Sequence, residues 1–353
     1  MQTISALNAG KKLTVITCGN ETVEPGVMNF PAIGAYELPV YPGFKLYYPP
    51  PLLMLDYCYR ENFTHIYSAT PGPMGLAALG ISRILKLPLI AAYHTSFPQY
   101  ADHLTGDPIM GELMWKYMAW YYNQVDLVLV PSETTGNELV SRGVPRQKIR
   151  YFHREFDIKK FHPVWRNGFY KDKYNLEDRA FKLLYVGRIS KEKNMDILSN
   201  VFRRLNGIKK NIHLIIVGEG PYMGELKKEL KNHEQVTFTG YLSGKELSQA
   251  YASSDVFIFP STTDTFGNVV IEAQASGLPV IVSDRGGPKE NVIDRKTGYV
   301  VPADDIDAFV SKVLEIYNDR DLLKRMRNDA RAYIVGKASG SGYLKNWDYY
   351  QEL

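Results

Sequence analysis

Short, continuous apolar runs alternate with helical stretches along the whole chain, and this alternation limits the fold more than any other feature. In the first half the runs are Leu13–Thr17, His65–Ser68, Leu87–Tyr93, Leu127–Pro131 and Ile149–Phe152. In the second they are Lys182–Gly187, His213–Gly218, Val236–Thr239, Val256–Pro260, Pro279–Ser283 and Tyr299–Val301. Runs that do not alternate with polar residues are what parallel strands buried on both faces require. Helical patterns fall between them, as at Asp196–Leu205, Met223–Lys231, Lys245–Ala252 and Gly267–Ala275. Repeated βα units of this kind predict doubly wound α/β sheets, one in each half, with ligands bound at the carboxyl ends of the strands.

The 353 residues hold two domains at about 150 residues each. Residues 1–163 carry 14 basic and 13 acidic side chains; residues 164–353 carry 28 and 25 and are denser in charge. The change falls at Phe161-His162-Pro163, which sets the boundaries: 1–163, 164–340, and a C-terminal helix over 341–353. Trp165 to Arg179 reads as a polar linker. A net charge of +4 is too dilute to point to nucleic acid, and two cysteines, Cys18 and Cys58, exclude a disulfide scaffold. The longest stretch without Asp, Glu, Lys or Arg, Asn62 to Ser82, is broken by Pro71, Gly72, Pro73 and Gly75, so no spanning helix is expected there. No Cys/His/Asp cluster has ligand spacing, so no metal site is expected. Met114 to Tyr122 reads as a helix with an aromatic core face, and Tyr41 to Tyr59 as an irregular apolar loop of the kind that lines clefts.

The most informative segment runs from Phe259 to Gly287. A strand ends at Pro260, a polar loop follows, and a helix begins near Phe266-Gly267. The backbone N–H groups of a helix start, with Gly267 allowing close approach, suit a phosphate. Asp264 lies before the helix and Glu272 eight residues on, a rise of at most ~12 Å. Carboxylates only accept, and can do so with both oxygens, which suits paired sugar hydroxyls. Upstream, V-G-R-I-S-K-E-K-N at Val186–Asn194 follows a strand and places Arg188 and Lys193 at its carboxyl end, where they could neutralise a diphosphate. Asn194 suits a turn or cap. V-G-E-G-P at Val217–Pro221 and V-T-F-T-G-Y at Val236–Tyr241 also end strands. So does Tyr93-His94-Thr95, which aims His94 at the same cleft.

Together these segments resemble the retaining glycosyltransferases of family 4, which have the GT-B fold of two Rossmann-like domains facing a cleft. The resemblance rests on the acidic-x7-Glu pattern of Asp264 and Glu272 and on the G-R-x-x-x-x-K pattern of Gly187, Arg188 and Lys193. The run T-D-T-F-G-N-V-V-I-E-A resembles members that use GDP-mannose or UDP-hexoses on lipid acceptors. The resemblance implies that Asp264 binds hydroxyls of the donor sugar, that Phe266, Gly267, Asn268 and Val269 reach sugar and phosphate, and that Glu272 binds the ribose. It further implies that Arg188 and Lys193 hold the diphosphate and that His94 stands near the reacting carbon. Thr239, Gly240 and Tyr241 would lie beside the base; Gly72, Gly75 and Thr95 would lie on the acceptor side. Gly286, Gly287 and Glu290 would shape the sugar pocket. In H-R-E-F-D-I-K-K-F-H-P, Arg154, Asp157, Phe161 and Pro163 match the family, whereas Glu155 and Phe156 replace a Gly and an aliphatic residue.

The implied activity is retaining, metal-independent transfer of a hexose from a GDP- or UDP-linked donor to a lipid or glycan hydroxyl, with no cofactor. The expected location is cytoplasmic, with peripheral contact to the inner face of a membrane through the first domain. Two alternatives stay open: a nucleotide-sugar epimerase of the same fold, and a catalytically degenerate nucleotide-sugar-binding subunit or fragment. The opening I-S-A-L-N-A-G-K-K-L-T-V-I-T resembles the end of the family's first helix and its second strand, so the first domain is expected to lack its first βα unit. Tyr343, Leu344, Trp347 and Tyr350 would brace the last helix against the first domain.

Overall fold

The computed structural model describes residues 13–19, 27–37, 45–99, 101, 106–152, 156–177, 179–338, 346 and 348–353. The first half opens with two parallel strands, β1 (Val15–Cys18) and β2 (Val27–Phe30), and an antiparallel pair, β3 (Gly34–Glu37) and β4 (Lys45–Tyr48). There follow α1 (Pro51–Arg60), β5 (Ile66–Ser68), α2 (Pro73–Leu85), β6 (Leu89–Ala92), α3 (Pro108–Gln124), β7 (Leu127–Val130), α4 (Glu133–Ser141) and β8 (Ile149–Tyr151). β5 to β8 form a parallel sheet in chain order, and among the described residues the β1–β2 pair is a separate sheet.

The second half contains α5 (Phe169–Tyr174), β9 (Phe181–Val186), α6 (Met195–Ile208), β10 (Ile212–Val217), α7 (Met223–Glu229), β11 (Val236–Gly240), α8 (Gly244–Ala252) and β12 (Val256–Phe259). It closes with α9 (Asn268–Ala275), β13 (Val280–Ser283), β14 (Gly298–Val301), α10 (Ile306–Asn318) and α11 (Arg320–Ala338). Its six strands are all parallel, in the order β11-β10-β9-β12-β13-β14. β9, β10, β12 and β13 are apolar enough to be covered by helices on both faces; Leu183, Leu184, Tyr185, Ile215, Ile216, Phe257, Ile258 and Ile281 are fully buried. The winding direction reverses between β9 and β12, and this switch point opens a crevice at their carboxyl ends. The architecture is α/β with two Rossmann-like sheets, as the strand pattern predicts.

Two stretches differ from expectation. Of Tyr41 to Tyr59, read as an irregular loop, the part from Lys45 on is described and is regular: Lys45–Tyr48 is β4 and Pro51–Arg60 is α1. Proline at the first helical position has no N–H to lose and already carries the helical φ, so the proline run starts this helix rather than barring it. Trp165 to Arg179 is no linker either. Its helix α5 sends Phe169 and Tyr170 into the second core, where the Tyr170 hydroxyl donates to the Ala250 carbonyl at 2.7 Å. Helix α3 buries Trp115, Met118, Tyr121 and Tyr122, the expected aromatic core face.

The chain's end lies on the first sheet. Tyr349 and Tyr350 pack against the cluster of Ile90, Ala92, Leu127 and Leu129, and Tyr350 meets His65 edge-on at 5.6 Å. Arg150 pairs with Glu352. Tyr343, Leu344 and Trp347 lie outside the described residues, as do Arg154 and Glu155.

Candidate active site

The crevice at the switch point is built by the loops after β9 and β12. After β9, Gly187 and Arg188 leave the sheet, and a 3-10 turn over Lys191–Lys193 leads into α6. Arg188 is exposed, and its carbonyl accepts from the Tyr185 hydroxyl at 2.9 Å. Lys193 turns the other way and is buried; its ammonium reaches Asp264 Oδ2 at 2.8 Å and Thr263 Oγ1 at 3.3 Å. Of the two cations expected to hold the diphosphate, Lys193 is thus ion-paired with a carboxylate of the neighbouring loop. Asn194 closes the turn at φ +56°, a left-handed conformation that asparagine tolerates, and its Nδ2 donates to the Pro260 carbonyl at 3.1 Å.

After β12, Ser261 Oγ also donates to Asp264 Oδ2, at 2.5 Å. Gly267 caps α9 with φ +83°, a left-handed position where a side chain would also strike Pro288. No side chain caps this helix start. Phe266 stacks on Phe156 at 6.0 Å and 9°, so the aromatic that replaces the family's aliphatic residue closes one side of the loop. Asn268 and Val269 open α9, and Glu272 lies one turn on.

Glu272 is half-buried on α9. Burial pushes its proton affinity above the ordinary carboxylate value. A hydrogen bond from Tyr251 and the charge of Lys160 act in the opposite direction. Tyr251 Oη donates to Glu272 Oε2 at 2.9 Å.

The first domain meets these loops directly. His94 follows β6; its Nε2 is 3.2 Å from the Tyr67 hydroxyl, and its ring meets Phe152 edge-on at 5.6 Å. Thr265 Oγ1 donates to the His94 carbonyl at 2.8 Å, and Thr135 Oγ1 donates to the Thr265 carbonyl at 3.3 Å. Glu290, expected to shape the sugar pocket, reaches across to the first domain. Both of its carboxylate oxygens accept from the first amides of α4, Glu133 N at 2.8 Å and Thr134 N at 2.6 Å. A helix start offers unsatisfied donors and positive partial charge, so it draws the carboxylate across the cleft. Gly286 and Gly287 hold the turn beneath Asp264: Gly287 N donates to the Asp264 carbonyl at 2.8 Å.

A cavity of about 1610 Å³ runs from this site into the first domain. His94, Asn268 and Glu272 line it together with Lys160, Asp157 and Phe156. Its apolar part lies between β1 and β5, lined by Ile16, Met54, Ile66, Met74 and Ile81. Thr239, Gly240 and Tyr241 do not line it; Thr239 Oγ1 turns back to the Gly240 carbonyl and Tyr241 is 73% exposed. On the acceptor side, Gly72 caps α2 and Thr95 is half-buried beside His94. Gly75 is a packing residue: a Cβ there would meet the Thr70 carbonyl oxygen at 2.1 Å. Among the described residues no group of His, Cys, Asp and Glu could hold a metal.

Tyr251, Lys160 and Thr265 carry no signal in the sequence that separates them from ordinary core, surface and loop residues. Only the tertiary fold brings them to Glu272 and His94.

Comparison with known proteins places this geometry. The glycosyl transferases group 1 model matches residues 167–333, and the Glycosyltransferase Family 4 model matches residues 6–160. Sulfoquinovosyl transferase SQD2 of Arabidopsis thaliana is 33% identical over 279 residues, 78% of this chain and 52% of that protein. A GDP-mannose-dependent alpha-mannosyltransferase of Mycobacterium tuberculosis is 32% identical over 276 residues, 77% of this chain and 68% of that protein. The chain thus spans about half the length of the first and two thirds of the second. In structure, Anabaena HepE in complex with UDP-glucose superposes with a TM-score of 0.75 at 16% identity, over 96% of this chain and 100% of that one.

Proposed function

The chain belongs to family 4 of the glycosyltransferases, and from that premise we propose that it transfers a hexose from a nucleotide diphosphate sugar to a hydroxyl acceptor, with retention and without a bound metal. The observation that carries this reading is the switch-point crevice. There the uncapped start of α9, Asp264 and Glu272 stand on the loop and helix after β12, and Arg188 stands exposed after β9. GDP-mannose and UDP-hexoses are the donors that the named relative and structure bring to mind, through the GDP-mannose of one and the UDP-glucose of the other.

In this reading the acceptor hydroxyl attacks on the face the diphosphate leaves, and the diphosphate oxygen takes its proton. Charge then grows on the diphosphate. Arg188 and the amides of the Phe266–Val269 segment meet it, and fixed donors of this kind supply the largest electrostatic share of catalysis. Lys193 acts through Asp264, fixing the carboxylate that accepts from the sugar hydroxyls. Glu272 accepts from the ribose, His94 holds the sugar ring near its reacting carbon, and Thr239, Gly240 and Tyr241 lie toward the base. The acceptor enters past Gly72 and Thr95.

A lipid acceptor fits the surface of the first domain. Ile109, Met110, Leu113 and Trp120 of α3 are exposed beside Lys116, a composition suited to a membrane interface. Among the described residues no helix is long and apolar enough to cross a membrane.

A second reading, nucleotide-sugar binding without transfer, draws on the Lys193–Asp264 pair, which gives one expected cation a carboxylate partner. Calorimetric titration with UDP and GDP, followed by a donor-hydrolysis screen, separates the two. Transferase function requires binding of one nucleotide, turnover of its sugar, and loss of most turnover in Arg188→Ala. Binding without turnover of any donor selects the second reading, and no binding of either nucleotide overturns both.

A further inference from the structure

Tyr251 is fully buried on α8, with its ring edge-on to Phe161 at 5.6 Å and tilted against Phe257 at 5.9 Å. Phenylalanine would fill the same space. A buried hydroxyl without a partner is costly, so tyrosine is suited here only if the hydroxyl has something to hold. What it holds is Glu272 Oε2, at 2.9 Å.

Glu272 is on α9, on the wall of the cavity. A carboxylate has two oxygens and about four acceptor sites, so a donor on one oxygen leaves the other able to accept. A flexible glutamate loses rotamer freedom whenever it binds a ligand, and a donor anchored in the core removes that cost in advance. We propose that Tyr251 is a positioning residue for nucleotide-sugar binding: its hydroxyl fixes the Glu272 carboxylate so that the second oxygen accepts from a vicinal diol of the donor's ribose. The inference rests on the assignment of Glu272 to the ribose.

The groups around Glu272 fit this role. From α8 comes the Tyr251 hydroxyl, and from the segment after β8 comes Lys160, whose charge favours the ionised carboxylate. From α11, Arg331 donates to the carbonyls of Ile158, Phe161 and Ala275, bracing the floor. From the turn after β13, Glu290 is directed to α4 and Lys289 to the Asp284 carbonyl. Tyr185 and Tyr170 lie behind Tyr251. Tyr251 and Lys160 are thus the two groups that hold the carboxylate ionised against its burial.

The test is Tyr251→Phe, which removes one oxygen and no volume. Titration with UDP and GDP is expected to show about a tenfold loss of affinity for whichever nucleotide binds, the size of one charge-assisted hydrogen bond partly replaced by water. In turnover the loss falls on the donor KM rather than on kcat. The acid limb of donor affinity moves to higher pH, because the ionised carboxylate has lost a donor. A packing defect alone would lower the melting temperature without moving that limb. In a Glu272→Gln background, adding Tyr251→Phe is expected to change affinity less than it does in the parent chain. An unchanged affinity and acid limb in Tyr251→Phe, while Glu272→Ala abolishes nucleotide binding, overturns the positioning role alone. Unchanged binding in Glu272→Ala overturns the ribose assignment beneath it.

Discussion

Asp264→Ala deprives a buried cation of its carboxylate, and the cost of doing so can be worked from the geometry. The Lys193 side chain is 9% exposed and that of Asp264 is 26% exposed, with 2.8 Å between ammonium and carboxylate. Deleting one partner of a buried pair costs about 3–5 kcal/mol, because the other charge stays desolvated. The partial exposure of Asp264 lets water reach the site, and the Thr263 hydroxyl stays at 3.3 Å, which together bring the figure to about 2–3 kcal/mol. The opposite deletion is milder. Lys193→Met removes the charge that needs burial and keeps the volume, while Asp264 retains the Ser261 hydroxyl and its access to water. Its cost is about 1 kcal/mol. A domain of this size shifts its melting temperature by about 2–4 °C per kcal/mol. Asp264→Ala is therefore expected to melt about 4–12 °C lower than the parent, and Lys193→Met about 2–4 °C lower. The double variant has no stranded charge and falls near Lys193→Met. Thermal unfolding by circular dichroism, with urea midpoints as a check, measures all three. If Asp264→Ala is as mild as Lys193→Met, or if the two losses add in the double variant, the ammonium is not held as a buried partner of Asp264.

Two further perturbations probe the same loops. Burial raises the proton affinity of Glu272, so the native chain binds more protons than the unfolded one between the ordinary carboxylate value and the raised one. Stability falls as pH climbs through that window and stays reduced above it. Glu272→Gln is accordingly expected to melt higher than the parent at about pH 7 and alike at about pH 4, while losing nucleotide affinity; an equal difference at both pH values contradicts the assignment. Gly287→Ala would put a Cβ 2.0 Å from the Thr265 carbonyl oxygen, so the loop under Asp264 must move. A loss of about 2–3 kcal/mol and of nucleotide binding is expected, whereas Gly224→Ala, on exposed α7 with nothing within 4 Å, gains up to about 1 kcal/mol. Urea unfolding of the two variants side by side tests the difference.

The elements legible in the sequence are those whose reason is local. β9, β10, β12 and β13 are continuous apolar runs because both of their faces are covered, and each lies within about a residue of the run that predicts it. Helix α9 is marked by the polar loop and Gly267 before it. The β3–β4 pair is different. Gly34–Glu37 is exposed along its length, so no apolar alternation marks it, and the pairing with Lys45–Tyr48 is what makes it a strand. Helix α5 hides in a polar stretch because only Phe169 and Tyr170 of its residues are buried. The pairs that organise the site are more distant still: Lys193 and Asp264 lie 71 residues apart, Glu290 and Glu133 157. Spacing along the chain names residue types suited to a diphosphate and two sugars, but not which of them will be spent on each other.

The fates of Arg188 and Lys193 show how that spending is decided. The two lie five residues apart in one loop and read alike as cations at a strand end. Asn194, in the left-handed conformation and bonded to Pro260, clamps the end of the β9 loop onto the end of β12. A residue just before the clamp has its side chain carried under the neighbouring loop, where only an ionised partner makes burial of an ammonium tolerable. Lys193 is that residue and Asp264 that partner. Arg188 precedes the turn and stays at the surface. The clamp therefore separates two cations that the motif alone superimposes: a lysine buried against Asp264 and an arginine left exposed. Asparagine serves at the clamp as well as glycine would, because it accepts the left-handed turn and adds the Pro260 hydrogen bond that glycine lacks.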